Sequence, residues 1–493
     1  MELTIDINNI KGEIKPVWNM GFNTCQAPLI LRDDLCGHIN EAVILGFKYI
    51  RFHNMFSREI CLYNEDEKGN PIYNFKKFDI IFDRIIKAGL LPFFEISFCP
   101  EAMRITDAKI CFYKANTSIP KSYEVWNDLI RKVILHLIER YGISCVKKWY
   151  FEVWNEPDLI FFDGDMKDYF ELYDNTVLSI KEVCSELRVG GPATSKCAWI
   201  DEFIRHIEQG SEVTVYKKVP CDFISTHAYP SDVAFVDSAE GEVNLQESTL
   251  LFHLFKGVKD KIDDSSLKGT PLIMGEWNSS AGPLAINHDE KNNGAFIVKT
   301  LDSLRNIIEG SLYWNLSDIY EECDFHYTPF HGGYGILNVN SIPKSSYNAF
   351  KLLNEVTGQE IHCDIKENKD NCGVIASYSK AQNKINLLLY NYIEPGKKNP
   401  KPESYKINIK GISGYMAAYK SWEINDESGS PYEYWQSIGS PDFLTLEQMS
   451  YLTSKSKMQE EQKLLRKECN TEAYEFNEDI LPGDVKLIQI SNL

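Results

Sequence analysis

Two short stretches of this 493-residue chain place a carboxyl group where it could work as an acid, a base or a nucleophile. The first, WYFEVWNEPD, runs from Trp149 to Asp158. Trp149, Tyr150, Phe151, Val153 and Trp154 are strand formers. Pro157 has no N–H and biases Glu156 away from helix, so the strand must stop there and hold Glu156 at its end. The second, TPLIMGEWN, spans Thr270 to Asn278 and puts Glu276 at the end of another apolar run beside a Trp. Two carboxylates at two strand ends of one barrel can face each other across its mouth. Cleavage of a glycosidic bond needs such a pair: one protonates the leaving oxygen, and the other attacks or activates water.

The elements that must carry these residues follow from periodicity. Strands are read at Pro16–Phe22, Lys48–His53, Leu91–Phe98, the run up to Glu156, Arg188–Gly191, Cys221–His227, the run up to Glu276, and Ser311–Asn315. Helical stretches alternate with them, several stopped by Gly. The pattern is that of an α/β protein with a (β/α)₈ TIM barrel over 15–357. An open doubly wound sheet is the rival, but no glycine-rich dinucleotide loop follows an early strand. After about residue 357 short strands dominate, and 358–493 reads as an accessory β-sandwich with a charged helical insert at Leu444–Arg466. The alternating LTIDI near the N-terminus (residues 1–14) is a strand that could complete that domain. A carbohydrate-binding or a purely structural role is open to it.

Composition narrows the function. Hydrophobic content of 43% and charged content of 25% are globular values. A formal net charge of −19 argues against nucleic acid and against an anionic membrane as partners. No run approaches the apolar length of a membrane span, and no secretory signal is visible. The 13 cysteines are scattered without a CxxC motif, as in a reduced, cytoplasmic protein. A homo-oligomer is compatible with all of this.

The strand ends gather Arg51, His53, Asn155, Glu156, His227, Tyr229, Glu276, Trp314, Glu321 and Glu322. Carboxylates, neutral donors and aromatic faces together suit a polyol. Glu95, inside an apolar strand, reads as a buried partner. The loop Ala102–Pro120, with Phe112, Tyr113 and Asn116, could wall a pocket. The histidines and acids are metal ligands in kind, but there is no HExxH and no GxSxG elbow. Neither a metal nor a cofactor is expected. A non-catalytic sugar-binding protein is the opposing class, and it would need no facing Glu pair.

Asn-Glu-Pro after the fourth strand, with Glu after the seventh, resembles the clan of retaining barrel glycosidases. More closely, the chain is similar to glycoside hydrolase family 39, the β-xylosidases. The matching words, in order, are GFKYIRFHNMF, WYFEVWNEPD, VGGPA, DFISTHAYP, GEWNSS, YWNLSDIYEE and TPFHGGYGILNVNSIPK. The resemblance implies Glu156 as acid/base and Glu276 as nucleophile. It implies His53, Asn155, His227, Tyr229, Trp314, Glu321 and Glu322 as substrate-binding residues. The implied activity is exo-acting release of xylose from short oligosaccharides, with arabinosides, β-glucosides and β-galactosides as alternatives. Two departures bear on the sugar. Asn54 stands where the family's xylosidases carry Gly, and Ala281 lies where they usually place a Tyr. Tyr229, Trp314, Phe330 and Tyr334 are expected to crowd the side of the pocket where a hexose carries its hydroxymethyl group.

Overall fold

The computed structural model describes residues 1–232, 247–320, 322–324, 326–367, 369–468 and 471–492. Eight parallel strands close into a barrel in chain order: Gly21–Gln26, Tyr49–His53, Leu91–Ile96, Tyr150–Val153, Arg188–Thr194, Phe223–His227, Leu272–Glu276 and Gly310–Tyr313. This is the (β/α)₈ architecture, with helices on the outside. The first strand begins later than the sequence indicates. Val17–Asn19 is a 3₁₀ turn, and only from Gly21 does the backbone pair with its neighbours.

Helix limits follow local chemistry. Helix Tyr123–Tyr141, which precedes the strand to Glu156, starts at Ser122, whose Oγ accepts from the Val125 N–H. It stops at Gly142, where φ is +78°. Helix Met166–Val183, which follows that strand, opens with a capping box made by Asp165 and Asp168.

The barrel interior is layered by the period-two alternation of its strands. Its lower layer is apolar: Met20, Phe93, Tyr150, Phe223, Ile273 and Leu312 pack together, all buried. Two residues further along the same strands come polar side chains: Glu95 after Phe93, Glu152 after Tyr150, and Ser225 after Phe223. The apolar plug therefore supports a polar layer at the end of the barrel where the loops are enlarged.

The rest of the chain forms one nine-stranded sheet. The N-terminal strand Glu2–Glu13 lies inside it, antiparallel to Gln359–Lys366 and parallel to Glu403–Lys410. The sheet folds over a single core containing Leu3, Ile5, Leu387, Ile407, Tyr419, Tyr474 and Ile488. The other face of the same strands packs on the barrel helices. Leu387 and Leu389 point into the sandwich core, whereas Leu388 and Tyr390 join the barrel core. Segment 444–466 is not one helical insert. The helix covers Leu446–Lys455, and Glu460–Arg466 is a strand paired with Met416–Ile424 at the sheet's edge. Its charged sequence, EEQKLLR, reads as helix locally, but an edge strand with one buried Leu465 tolerates that composition.

Candidate active site

The centre of the polar layer is Arg51, fully buried on the second barrel strand. Its Nε donates to Glu152 Oε2 at 2.6 Å and its Nη1 to Glu276 Oε1 at 2.6 Å. Its Nη2 lies 2.8 Å from Glu95 Oε2 and donates to Asn155 Oδ1 at 3.0 Å. Nη1 also donates to Asn23 Oδ1 at 3.0 Å. A guanidinium fork can meet several oxygens in one plane, which a lysine cannot. The carboxylates around it raise its pKa further, against the cost of burial. Glu95 is held by Arg51, yet burial pushes its carboxyl up to about 8.

Above Arg51 stand the two glutamates. Glu156 follows the fourth strand, with its N–H bonded to the Ala193 carbonyl at 2.9 Å. Its φ is +42° and that of Trp154 is +69°, left-handed values that turn the chain sharply after the strand. One oxygen of Glu156, one oxygen of Glu276 and a ring nitrogen of His227 all lie within 4.8 Å of one another. His227 is the strand neighbour of Glu276. Its Nδ1 is 2.9 Å from Glu156 Oε1 and 3.7 Å from Glu276 Oε2. Gly275 makes room for it, because a Cβ there would stand 3.1 Å from the imidazole.

The electrostatics separate the two acids. Burial, and then the charges of Asp158 and Asp232, push Glu156 up to about 8, against Arg51 and Lys196. Burial pushes Glu276 up to about 7, while His227 and Arg51 pull it down. The Tyr229 hydroxyl also donates to Glu276 Oε2 at 3.2 Å. Burial, with the Arg51 charge, lowers His227 to about 4, so it is a neutral dipole between the acids at neutral pH. Glu156, His227 and Glu276 have the donor atoms of a metal site, but Glu276 Oε1 already faces a guanidinium with which a cation would compete.

The remaining residues read from the sequence are distributed as follows. His53 is buried, stacked on Trp314 at 6.0 Å between centroids, with its Nε2 2.8 Å from the Tyr113 hydroxyl. Burial and Arg51 lower its pKa to about 3. Asn155 turns its oxygen to Arg51. Trp314 packs edge-on against Tyr320 and Tyr334. Glu322 accepts from the Tyr320 hydroxyl, and burial raises it to about 7. Glu321 lies outside the described residues. Phe330 is not part of the wall: it packs with Tyr432 and Trp435 of the accessory domain, away from Trp314. Near Ala281, the Tyr334 hydroxyl donates to the Ala281 carbonyl at 2.6 Å.

Glu152 and Asn23 were not singled out by sequence. The available signal for Glu152 was a charged residue inside an apolar strand, at the parity of the interior-facing Tyr150.

Comparison with known proteins agrees with this geometry. The model of glycosyl hydrolases family 39 matches residues 1–468. A β-xylosidase of Caldicellulosiruptor saccharolyticus is 36% identical over 499 residues, covering 100% of this chain and 99% of that protein. A β-xylosidase of Geobacillus stearothermophilus is 31% identical, covering 91% of this chain and 88% of that protein. The crystal structure of a monomeric β-xylosidase from Caulobacter crescentus superposes with a TM-score of 0.90 at 30% identity, covering 100% of this chain and 99% of that one. The ordered motifs, the closed barrel and the whole-length match lead to one conclusion: this chain is a glycosidase belonging to glycosyl hydrolase family 39.

Proposed function

We propose that this protein is a retaining, exo-acting β-D-xylosidase working by double displacement, with Glu156 as acid/base and Glu276 as nucleophile. The observation that carries this reading is the approach of the two carboxylates, with oxygens within 4.8 Å across the barrel mouth. Retaining enzymes hold their pair about 5–5.5 Å apart, and inverting enzymes about 6.5–9.5 Å, to admit a water. The electrostatics support the division of roles. Glu276 accepts from the Arg51 guanidinium at 2.6 Å and the Tyr229 hydroxyl at 3.2 Å, donors that favour its ionised form, whereas burial and the charges of Asp158 and Asp232 favour protonated Glu156. The acid can therefore keep a proton for the departing oxygen while Glu276 attacks the anomeric carbon. Water, deprotonated by Glu156, then releases the sugar from Glu276.

Exo action is supported by confinement: the Glu156 and Glu276 side chains are only 11% and 6% exposed, as in a pocket and unlike an open groove. Xylose is supported by the two relatives named β-xylosidase over most of their length. Arg51 speaks against a uronide, since its guanidinium is spent on Glu152, Glu95 and Glu276. The accessory sheet is read as a structural domain, and 15–357 as the catalytic unit. A cytoplasmic setting is supported by the cysteines, twelve of which are free thiols among the described residues, and it would confine the substrate to short oligosaccharides.

The test is a panel of p-nitrophenyl glycosides (β-xylo, α-arabino, β-gluco, β-galacto and α-iduro) compared by kcat/KM. The β-xyloside should lead. A higher value for another sugar rejects the xylosidase reading and leaves the paired-Glu mechanism standing.

A further inference from the structure

One polar group at the pocket comes from the long loop between the third barrel strand and helix Tyr123–Tyr141. Lys109 pairs with Asn116 and Ile110 with Ala115, forming a small antiparallel hairpin with its tip at 111–114. The tip is attached to two residues read above as sugar-binding. The Tyr113 hydroxyl lies 2.8 Å from His53 Nε2. The Phe112 N–H donates to the Glu322 carbonyl at 2.8 Å.

An imidazole nitrogen offers one lone pair or one hydrogen, and His53 Nε2 directs it at the Tyr113 phenol at 2.8 Å, with the Cys25 thiol a longer contact at 3.7 Å. The other nitrogen, Nδ1, is buried without a hydrogen bond and faces Glu95 Oε2 at 3.9 Å inside the barrel. A sugar hydroxyl that is to bond His53 must therefore take the place of the Tyr113 phenol. The phenol has somewhere to go. Behind the tip lies a cavity of about 240 Å³, lined by Phe112, Tyr113 and Ala115 of the hairpin and by Asn54 and Phe56 of the barrel.

We propose that Tyr113 is a specificity gate: its hydroxyl stands in for a sugar hydroxyl on His53 Nε2, and binding of the terminal sugar exchanges the two as the phenol turns into the cavity behind the hairpin. This rests on the reading of His53 as part of the sugar pocket. Any sugar loses the Tyr113–His53 hydrogen bond on entry. Only a sugar with a hydroxyl directed at His53 regains it, so a deoxy analogue is rejected.

Tyr113→Phe removes the competitor and keeps the ring. KM for the best glycoside of the panel should fall about three- to tenfold with kcat little changed, the span of one ordinary hydrogen bond. A KM that rises marks Tyr113 as a direct sugar ligand and overturns the gate, and so does an unchanged KM. The cavity gives an independent arm. Ala115→Leu fills it and should raise KM in the natural background but not beside Tyr113→Ala. An equal rise in both backgrounds shows that the cavity is not the phenol's destination and also overturns the proposal. Loss of the xylosidase reading would appear separately, as a different preferred sugar in the unmodified protein, and the gate is then measured on that sugar.

Discussion

Two buried charge clusters of the barrel are built on different terms. Around Arg51, one cation faces Glu95, Glu152 and Glu276, with Glu156 close above. Around Lys344, one ammonium lies 2.5 Å from Asp289 and 2.6 Å from Asp318, and it donates to the Gly333 carbonyl at 2.9 Å. The aspartates also accept backbone N–H groups, Asp289 from Gly332 at 2.6 Å and Asp318 from Gly335 at 2.7 Å. The Lys344 cluster thus pins the turn that carries Tyr334. Gly332 is required there: its φ is +78°, and a Cβ would meet the Leu284 backbone at 2.6 Å. Acids outnumber the cation in both clusters, but around Arg51 burial raises Glu95, Glu156 and Glu276 to about 7–8, within reach of protonation near neutral pH. A cluster whose acids meet at a pocket with such values is suited to moving protons, whereas one whose acids are also held by backbone N–H groups is suited to holding a loop.

The contrast is broken most severely at the nucleophile. Glu276→Ala should lower kcat/KM on the order of 10⁵-fold, with partial recovery by azide on an activated aryl glycoside. The glycosyl azide formed should have inverted configuration with Glu276→Ala and retained configuration with Glu156→Ala, and the opposite pairing would reverse the roles. Glu156→Ala should cost about 10²–10⁴-fold on oligosaccharides and much less on aryl glycosides with good leaving groups. Equal losses on both substrates would remove Glu156 from the acid's role.

The structural cluster should answer in stability. Lys344→Met leaves two buried aspartates without their cation and should cost about 3–5 kcal/mol in denaturant unfolding. Glu95→Gln should behave differently. The folded-state pKa of Glu95 is raised to about 8, so its contribution is fully present below the ordinary glutamate range and is lost as pH rises through about 8. Replacing it with a neutral amide should flatten the decline of stability across that window. An unchanged slope would show that Glu95 is ionised.

The smallest effect concerns the rate profile. Activity needs Glu276 ionised, above about pH 7, and Glu156 protonated, below about pH 8, so kcat/KM should follow a narrow bell. Tyr229→Phe removes a donor to ionised Glu276 and should move the acid limb upward, with about a tenfold loss at most. A shift of the alkaline limb alone would place Tyr229 with Glu156 instead.

Much of the catalytic reading came from local chemistry. A strand that must end at Pro157 presents Glu156 whatever surrounds it, and GEWN does the same for Glu276. The wall was less legible. Phe330 and Tyr334 are four residues apart in one loop, yet Phe330 packs on Trp435 and Tyr334 on Trp314. Nothing in their spacing separates them, because a loop has no period that assigns its side chains to faces.

The sequence by itself determined the alternation of strands and helices, the two glutamates at strand ends, and the family. The first two depend on propensity and proline geometry, which act within a few positions, and the family on the order of such short motifs along the chain. Tertiary structure decided what Arg51 binds, that Tyr113 sits on His53, that Lys344 holds the glycine-rich turn, and that EEQKLLR is a strand. Each of these joins groups far apart in the chain. Burial, charge pairing and edge pairing act only once barrel closure and sheet folding have brought those groups together.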